Sequence, residues 1–290
     1  MRNDFCIFIL SHGRADNVKT VKLLNNIKYN GKYYIIVDTD DNQIDKYIKN
    51  FGKDKILIFD KEKEKDFDLM DNFNEKKAIV YARNICFKFA KKLKIKYFME
   101  FDDDYVELKV RFNSKIEFTA KTINLFKNKE NFIEKLIDEM INFFLTDKRI
   151  ATIAFSQGGD FVGGSENNFA NGLKTKRKAM NSFLCSTDRE FKFIGTLNED
   201  VNLYCNSLEK IIFTINLIAL EQMPTQSQEG GLSNLYEAAG TYVKSFYSVI
   251  ANPAAVKIQL MGRKEKRFHH AVNYKNACAC ILDEKYKKII

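Results

Sequence analysis

Four short apolar runs recur within the first 112 residues, and each is followed by an acidic or polar turn and, in most cases, a stretch of helical period. The runs are Phe5–Leu10, Tyr33–Val37, Lys55–Phe59 and Tyr97–Phe101. Each has the length of a buried strand and is too short for a buried helix. Between them, Val18, Val21, Leu24 and Ile27 share a helical face that Asp16 or Asn17 can cap. A second short helix stops near Gly52, a residue suited to a helix C-terminus. Ala78 to Leu93 has helical period, with Ile79, Ala82, Cys86, Phe89 and Leu93 on one face. Strand–helix alternation of this kind predicts an α/β fold, with a mostly parallel central sheet flanked by helices on both faces.

In such a sheet ligands bind beyond the carboxyl ends of the strands, and there the sequence is chemically dense. Strand one ends in Ser11-His12-Gly13-Arg14, a hydroxyl, backbone amides and a guanidinium close to a helix N-terminus. An ordinary strand-to-helix turn has the same composition, but so does a nest for a base or phosphate. Strand two ends in Asp38-Thr39-Asp40-Asp41, and strand four in Asp102-Asp103-Asp104. Two carboxylates about 5 Å apart repel by roughly 3 kcal/mol at an effective dielectric near 20. Solvent, basic neighbours or a divalent cation must offset that. A tight cluster of hard oxygen ligands suits Mn²⁺ or Mg²⁺ bound together with substrate phosphates. Neither a Gly-x-Gly-x-x-Gly fingerprint nor a Walker A sequence is present, which disfavours the dinucleotide-binding and P-loop folds. Arg83-Asn84 interrupts the apolar third helix. A helix-surface arginine is usually solvated, but this helix leads straight into the Asp102–Asp104 strand.

After Phe112 the pattern changes. Phe132 to Phe144 reads as a long amphipathic helix, and Ile150–Phe155 and Ile211–Leu220 as strands; Gly240 to Val249 alternates. Between them lie a glycine-rich stretch, Gln157 to Gly164, and a basic run, Lys174 to Lys178. Asn198-Glu199-Asp200 offers either a helix cap or a general base for an acceptor hydroxyl. His269-His270 offers a nitrogen ligand or two exposed tail residues. With no repeat or low-complexity linker, one domain spanning 1–290 is expected, in two lobes, 1–112 and 113–290. The net charge of +9 permits an anionic partner such as nucleic acid. The six cysteines have no zinc-ligand spacing and read as free thiols in a reducing compartment. With no run of about 18 apolar residues and no signal-peptide pattern at the N-terminus, a cytoplasmic protein without membrane spans is expected.

In sequence, these blocks resemble the glycosyltransferases associated with TET/JBP-type thymine and methylcytosine oxygenases. Members of that family occur in phages, where the host cytoplasm would be the setting. Relatives include the base J glucosyltransferase and the C-terminal domain of an oestrogen-regulated animal protein. The resemblance rests on Ile9–Arg14, Ile36-Val37-Asp38, Ala82-Arg83-Asn84, Phe101–Tyr105, Gln157–Asp160, Lys176–Phe183, Asn198–Asn202, Gly240–Tyr247 and His269-His270. It implies a GT-A-type, Rossmann-like glycosyltransferase, with 1–112 as the nucleotide-sugar-binding half and 113–290 as the acceptor-binding half. Asp102 and Asp104 would form its metal-binding Asp-x-Asp, with His270 or His269 as a further ligand. Ser11, Arg14, Asp38, Arg83, Asp102 and Asp103 are the donor-binding candidates, and a UDP-sugar is the implied donor. Asp200 or Glu199 would serve as the base. Lys176, Arg177, Lys178 and Gln157 would meet the acceptor, for which a hydroxymethylated pyrimidine in DNA is expected. The tail departs from the family pattern: Cys278-Ala279-Cys280 stands where a proline-containing segment belongs.

Other readings of the same residues are a transferase acting on protein hydroxyls or glycans, a non-catalytic nucleic-acid-binding module, and a metal-dependent nuclease. The donor sugar, the stereochemical outcome and the oligomeric state are left open by the residues alone.

Overall fold

A computed structural model of the chain describes residues 2–64, 79–112, 118–123, 131–157, 173–174, 179–180, 182–206, 211–222, 243, 245–262 and 266–277. The first strands and helices alternate as the sequence predicts: β1 (Phe5–Leu10), α1 (Lys19–Asn26), β2 (Lys32–Asp38), α2 (Ile44–Phe51), β3 (Ile56–Phe59), α3 (Ile79–Lys92) and β4 (Tyr97–Asp102). They are followed by β5 (Tyr105–Phe112), β6 (Phe118–Ile123), α4 (Phe132–Leu145), β7 (Ile150–Gln157), β8 (Leu173–Lys174), β9 (Ser182–Ser186), α5 (Glu199–Cys205), β10 (Ile211–Gln222), β11 (Val256–Met261) and β12 (Arg267–Val272).

One large sheet has the order β3-β2-β1-β4-β9-β7-β10-β5-β6, with β8 also paired to β10. Strands β3, β2, β1 and β4 are mutually parallel. Strand β9 enters antiparallel between β4 and β7, and β7 pairs parallel with β10. Strand β1 sits mid-sheet, where both faces are covered, so a continuous apolar run fits it. Phe5, Ile7 and Ile9 enter one core, and Cys6, Phe8 and Leu10 the other. The first core is closed by α1, α2 and α4, the second by α3 and α5. The thiols of Cys6, Cys86, Cys185 and Cys205 are free and buried, as expected of packed apolar residues. Cys278 and Cys280 lie outside the described residues.

Three local expectations are corrected. Neither Asp16 nor Asn17 caps α1: Val18 stands at the N-cap with no side-chain bond, because Asp16 is drawn to Lys46. The most buried face of α3 is not the predicted one. Ile79, Ala82, Phe89 and Leu93 are only partly buried, while Val80, Arg83, Asn84, Phe87 and Ala90 face inward with Cys86. The alternating stretch 240–249 does not continue as a strand, since 245–251 is helical. The small Ser245 and Ser248, three apart, turn inward there and leave Phe246 and Ile250 exposed.

Among the described residues, no helix is long and apolar enough to cross a membrane.

Candidate functional site

The Asp102–Asp104 turn is held in place from α1. Thr20, fully buried, donates its hydroxyl to the Asp102 carbonyl at 2.5 Å and accepts the Tyr105 amide at 3.1 Å. The Thr20 amide bonds the Asp103 carbonyl at 3.1 Å. The three carboxylates then have different surroundings. Asp103 turns inward: it accepts Ser11 Oγ at 2.6 Å on one oxygen and Arg14 Nη1 at 2.7 Å on the other. It therefore fastens the strand-one loop to the end of β4. Asp102 and Asp104 flank it and both are partly exposed.

Arg83 lies behind this rim, fully buried, where it meets three carboxylates. Its Nη2 reaches Asp102 at 3.1 Å, its Nε reaches Glu199 at 3.0 Å, and its Nη1 lies 3.5 Å from Glu100. The ring of Phe183 lies beneath the guanidinium, 5.1 Å to the centroid. Burial raises the Glu100 carboxyl to about 8, more than Arg83 can lower it. Its second oxygen has no hydrogen-bond partner among the described residues. Burial likewise raises Asp102, with Asp104, Glu199 and Asp103 adding to the effect against the pull of Arg83. The strand end therefore lies in a negative field. Asn84 completes the clamp: its amide exchanges two bonds with the Phe193 backbone, at 2.9 and 3.0 Å. The Arg83-Asn84 pair thus fixes the segment from Phe193 to Glu199 against β4.

On the other side of Ser11, the ends of β1, β2 and β3 converge. His12 Nδ1 lies 2.7 Å from Asp38, and Lys61 Nζ lies 3.1 Å from the other Asp38 oxygen. Asp41 accepts the Gly13 amide at 2.7 Å. Gly13 sits at φ +67°, a conformation that leaves this amide aimed at the acid. Tyr47 Oη bridges Ser11 Oγ at 2.8 Å and the Arg14 amide at 2.9 Å. Burial alone would raise Asp38, but His12 and Lys61 outweigh it and bring the carboxyl below its usual range. The Asp38 hydrogen bond raises His12 against burial.

A histidine raised in the folded state contributes stability that is complete below its unfolded pKa, near 6.5, and is lost as pH rises through the folded value. The His12 ring is 43% exposed, so the effect is screened and amounts to less than about 1 kcal/mol. His12→Ala is expected to lower the melting temperature more at pH 5.5 than at pH 8.5. Equal losses at the two pH values would show that the pair carries no charge.

Beyond Arg83, Glu199 and Asp200 open α5, and Asn198 before them takes φ +59°. His270 Nδ1 lies 3.2 Å from Asn198 Nδ2, and that amide also bonds Ser248. The rings of His269 and His270 are 4.3 Å apart. Among the described residues, no three His, Cys, Asp or Glu side chains form a group able to hold a metal ion. His270 is instead joined to Asp102 indirectly, through Asn198, Glu199 and Arg83. Lys176, Arg177, Lys178 and the side chain of Gln157 lie outside the described residues.

The family model for the TET-associated glycosyltransferases matches residues 5–231. The chain belongs to this family. The transferase has an α/β fold, its central sheet flanked by helices. It is similar to solved structures at low identity. One is a mycobacterial protein (11% identity, 92% of this chain and 83% of that one, TM-score 0.42). Another is TarS of S. aureus (13%, 86% and 40%, TM-score 0.44). A third is glucosyl-3-phosphoglycerate synthase from Mycobacterium tuberculosis, solved with Mn²⁺, UDP and phosphoglyceric acid (10%, 92% and 86%, TM-score 0.43). Comparison with curated proteins gives no match.

Three residues of the transferase's rim escaped the reading of the sequence as site residues: Tyr47, Lys61 and Glu100. Two of them left a signal. Glu100 is a carboxylate inside an otherwise apolar strand, and Lys61 follows the end of β3, on the same rim as the acids.

Proposed function

We propose that the transferase moves a hexose from a UDP-sugar to the hydroxyl of a hydroxymethylated pyrimidine in DNA. The observation that carries this reading is Arg83, whose single guanidinium holds Asp102 on the donor side and Glu199 on the acceptor side. Donor and acceptor machinery thereby share one rigid support. Ser11, His12, Asp38 and Arg14 form the donor nucleotide's cradle, with Tyr47 and Lys61 setting their positions. Asp102 and Asp104 would hold Mn²⁺ or Mg²⁺ together with the donor's phosphates; His270 and His269, the further ligands the family resemblance implies, are not grouped with them among the described residues. The donor set fits: a divalent ion in this class is usually held by one or two carboxylates together with substrate phosphates and water, so no closed protein cage is needed. The negative field at the end of β4 favours a cation there. When bound, that cation neutralises charge developing on the leaving diphosphate. Arg14, Lys176 or Arg177 screens the same charge.

On the acceptor side, Glu199 is engaged by Arg83 and fixes the start of α5. Asp200, the next residue, is the base of an inverting route, taking the proton from the acceptor hydroxyl. Lys176, Arg177, Lys178 and Gln157 contact the DNA, and a target base within a duplex is flipped out to reach the sugar.

The test is transfer of radiolabelled glucose from UDP-glucose, with Mn²⁺, to DNA carrying 5-hydroxymethyluracil. Unmodified DNA and a hydroxylated protein serve as parallel acceptors. Label in the modified DNA alone is expected. Label in protein alone would overturn the acceptor. Metal-dependent release of UDP without any label transferred would leave the donor reading and remove the DNA.

A further inference from the structure

Strands β11 and β12 form a separate two-stranded ribbon, antiparallel and outside the large sheet. Its register sorts the residues into two sets. Val256 faces Val272, Ile258 faces His270, and Leu260 faces Phe268. Because side chains alternate along a strand, these three pairs share one face. Burial falls steadily along it: Val256 is 2% exposed, Ile258 and His270 are intermediate, Leu260 is 59% exposed and Phe268 51%. The other register positions pair Lys257 with Ala271, Gln259 with His269, and Met261 with Arg267. Lys257, Lys266 and Arg267 are exposed. In sequence, Lys257 to Arg267 holds five basic residues and one acidic one.

Two exposed large apolar side chains opposite each other, at the tip of a small ribbon, are unfavourable in water unless something covers them. Their position matters. Phe268 lies two residues from His270, about 7 Å along the strand, and His270 touches Asn198, which precedes Glu199. The apolar pair therefore continues outward from the proposed acceptor side of the site, with Lys257 and Arg267 on the ribbon's opposite face and Lys266 just before Phe268's strand. That combination matches a polyanion with an apolar interior. A two-stranded ribbon entering a groove end-on has phosphates on both of its sides, and apolar side chains wedged between base steps from the minor groove are a known way of unstacking them.

We infer that the β11–β12 ribbon is the DNA-engaging element, with Leu260 and Phe268 inserted into the base stack beside the target nucleotide and Lys257, Lys266 and Arg267 against the phosphates. The inference rests on the DNA-acceptor reading above and adds the wedge that keeps the target base out of the helix. A base extruded for chemistry leaves a gap whose closure competes with the reaction; an apolar pair in that gap removes the competition.

The experiment uses the full chain, Leu260→Ser with Phe268→Ala, and Phe268→Trp. Three readouts are taken: anisotropy of a labelled duplex across a salt series, 2-aminopurine fluorescence beside a hydroxymethylated site, and glucose transfer to that duplex and to free 5-hydroxymethyl-2′-deoxyuridine. The double variant is expected to lose the 2-aminopurine rise and to lower the duplex-to-nucleoside transfer ratio tenfold or more, about what one lost base–aromatic contact implies. Phe268→Trp is expected to retain both. Lys257→Ala with Arg267→Ala is expected to flatten the salt dependence by about two phosphate contacts. A duplex signal in the double variant equal to wild type overturns the ribbon assignment and leaves the acceptor reading standing. Failure of the wild type to bind duplex also overturns it, and nucleoside transfer then reports on the acceptor alone. Binding to phosphatidylglycerol vesicles, or self-association, that disappears in the double variant while duplex binding persists would assign the tip to a membrane surface or to a second copy of the chain.

Discussion

Arg83→Met is expected to destabilise the fold by about 3–5 kcal/mol, the usual consequence of removing one partner from a buried charge pair. Methionine keeps the apolar stem and removes the guanidinium, so the loss is mainly electrostatic. It leaves Glu100, Asp102 and Glu199 without the guanidinium that all three approach. Glu100 is already raised to about 8 with Arg83 present. A group raised in the folded state contributes stability that is whole below its unfolded value, near 4.5, and is lost as pH climbs through the folded one. Without Arg83 the Glu100 and Asp102 carboxyls rise further, so the deficit of the variant should grow from pH 5.5 to pH 8, where the wild-type groups begin to ionise. Denaturant melts at those two pH values check this. Arg83→Lys should recover only part of the loss, because an ammonium cannot fork toward three acids. Adding Glu100→Gln to Arg83→Met should restore part of the stability, a coupling measurable as a double-mutant cycle. Melts of Arg83→Met that overlay wild type at both pH values would mean that the clamp contributes nothing.

That clamp shows where sequence reasoning carried and where it stopped. The strands β1, β2, β3 and β4 could be read because a strand buried on both faces must be apolar throughout, and its end must carry the polar residues that reach solvent or ligand. The rim therefore followed from four runs and the acids after them. Arg83 was visible as an interruption of an apolar helix, but its direction was not. Three of the residues assigned to the inward face of α3 sit one position away from the ones that pack most deeply, since Val80, Arg83, Asn84 and Phe87 share that face. A buried arginine is tolerated there only because Glu100 and Glu199 come to meet it, and those partners are 17 and 116 residues away. Long-range pairing of this kind leaves no periodic trace. The same holds for Asp103. Three adjacent aspartates look equivalent in a sequence, and only the placement of Ser11 and Arg14 separates the middle one from its neighbours. Strand β9 went unread for a related reason: Ser182–Ser186 is short and bounded by serines, and its burial comes entirely from lying between β4 and β7.

The three aspartates supply the second large effect, because their substitutions should separate chemistry from architecture. Asp102→Asn with Asp104→Asn is expected to reduce sugar transfer about a thousandfold or more. Losing the proposed cation's contribution to the transition state, about 4 kcal/mol, corresponds to a thousandfold. The fold should survive. Two mutually repelling charges near a negative strand end are removed, asparagine at 102 still offers Arg83 a carbonyl oxygen, and Glu199 still holds the same guanidinium. The melting temperature should be unchanged or higher. Asp103→Asn should behave the other way. It gives up charge-assisted bonds from Ser11 and Arg14 that tie β1 to β4, a loss of about 1–3 kcal/mol. Any fall in its transfer rate should track that loosening of the donor loop. Mn²⁺ binding, followed by the paramagnetic relaxation of water protons in the presence of UDP, should vanish in the Asp102/Asp104 variant and persist in Asp103→Asn. If the double variant instead transfers sugar at the wild-type rate, or unfolds, the carboxylates at the end of β4 are structural and the donor's diphosphate is held elsewhere on the rim.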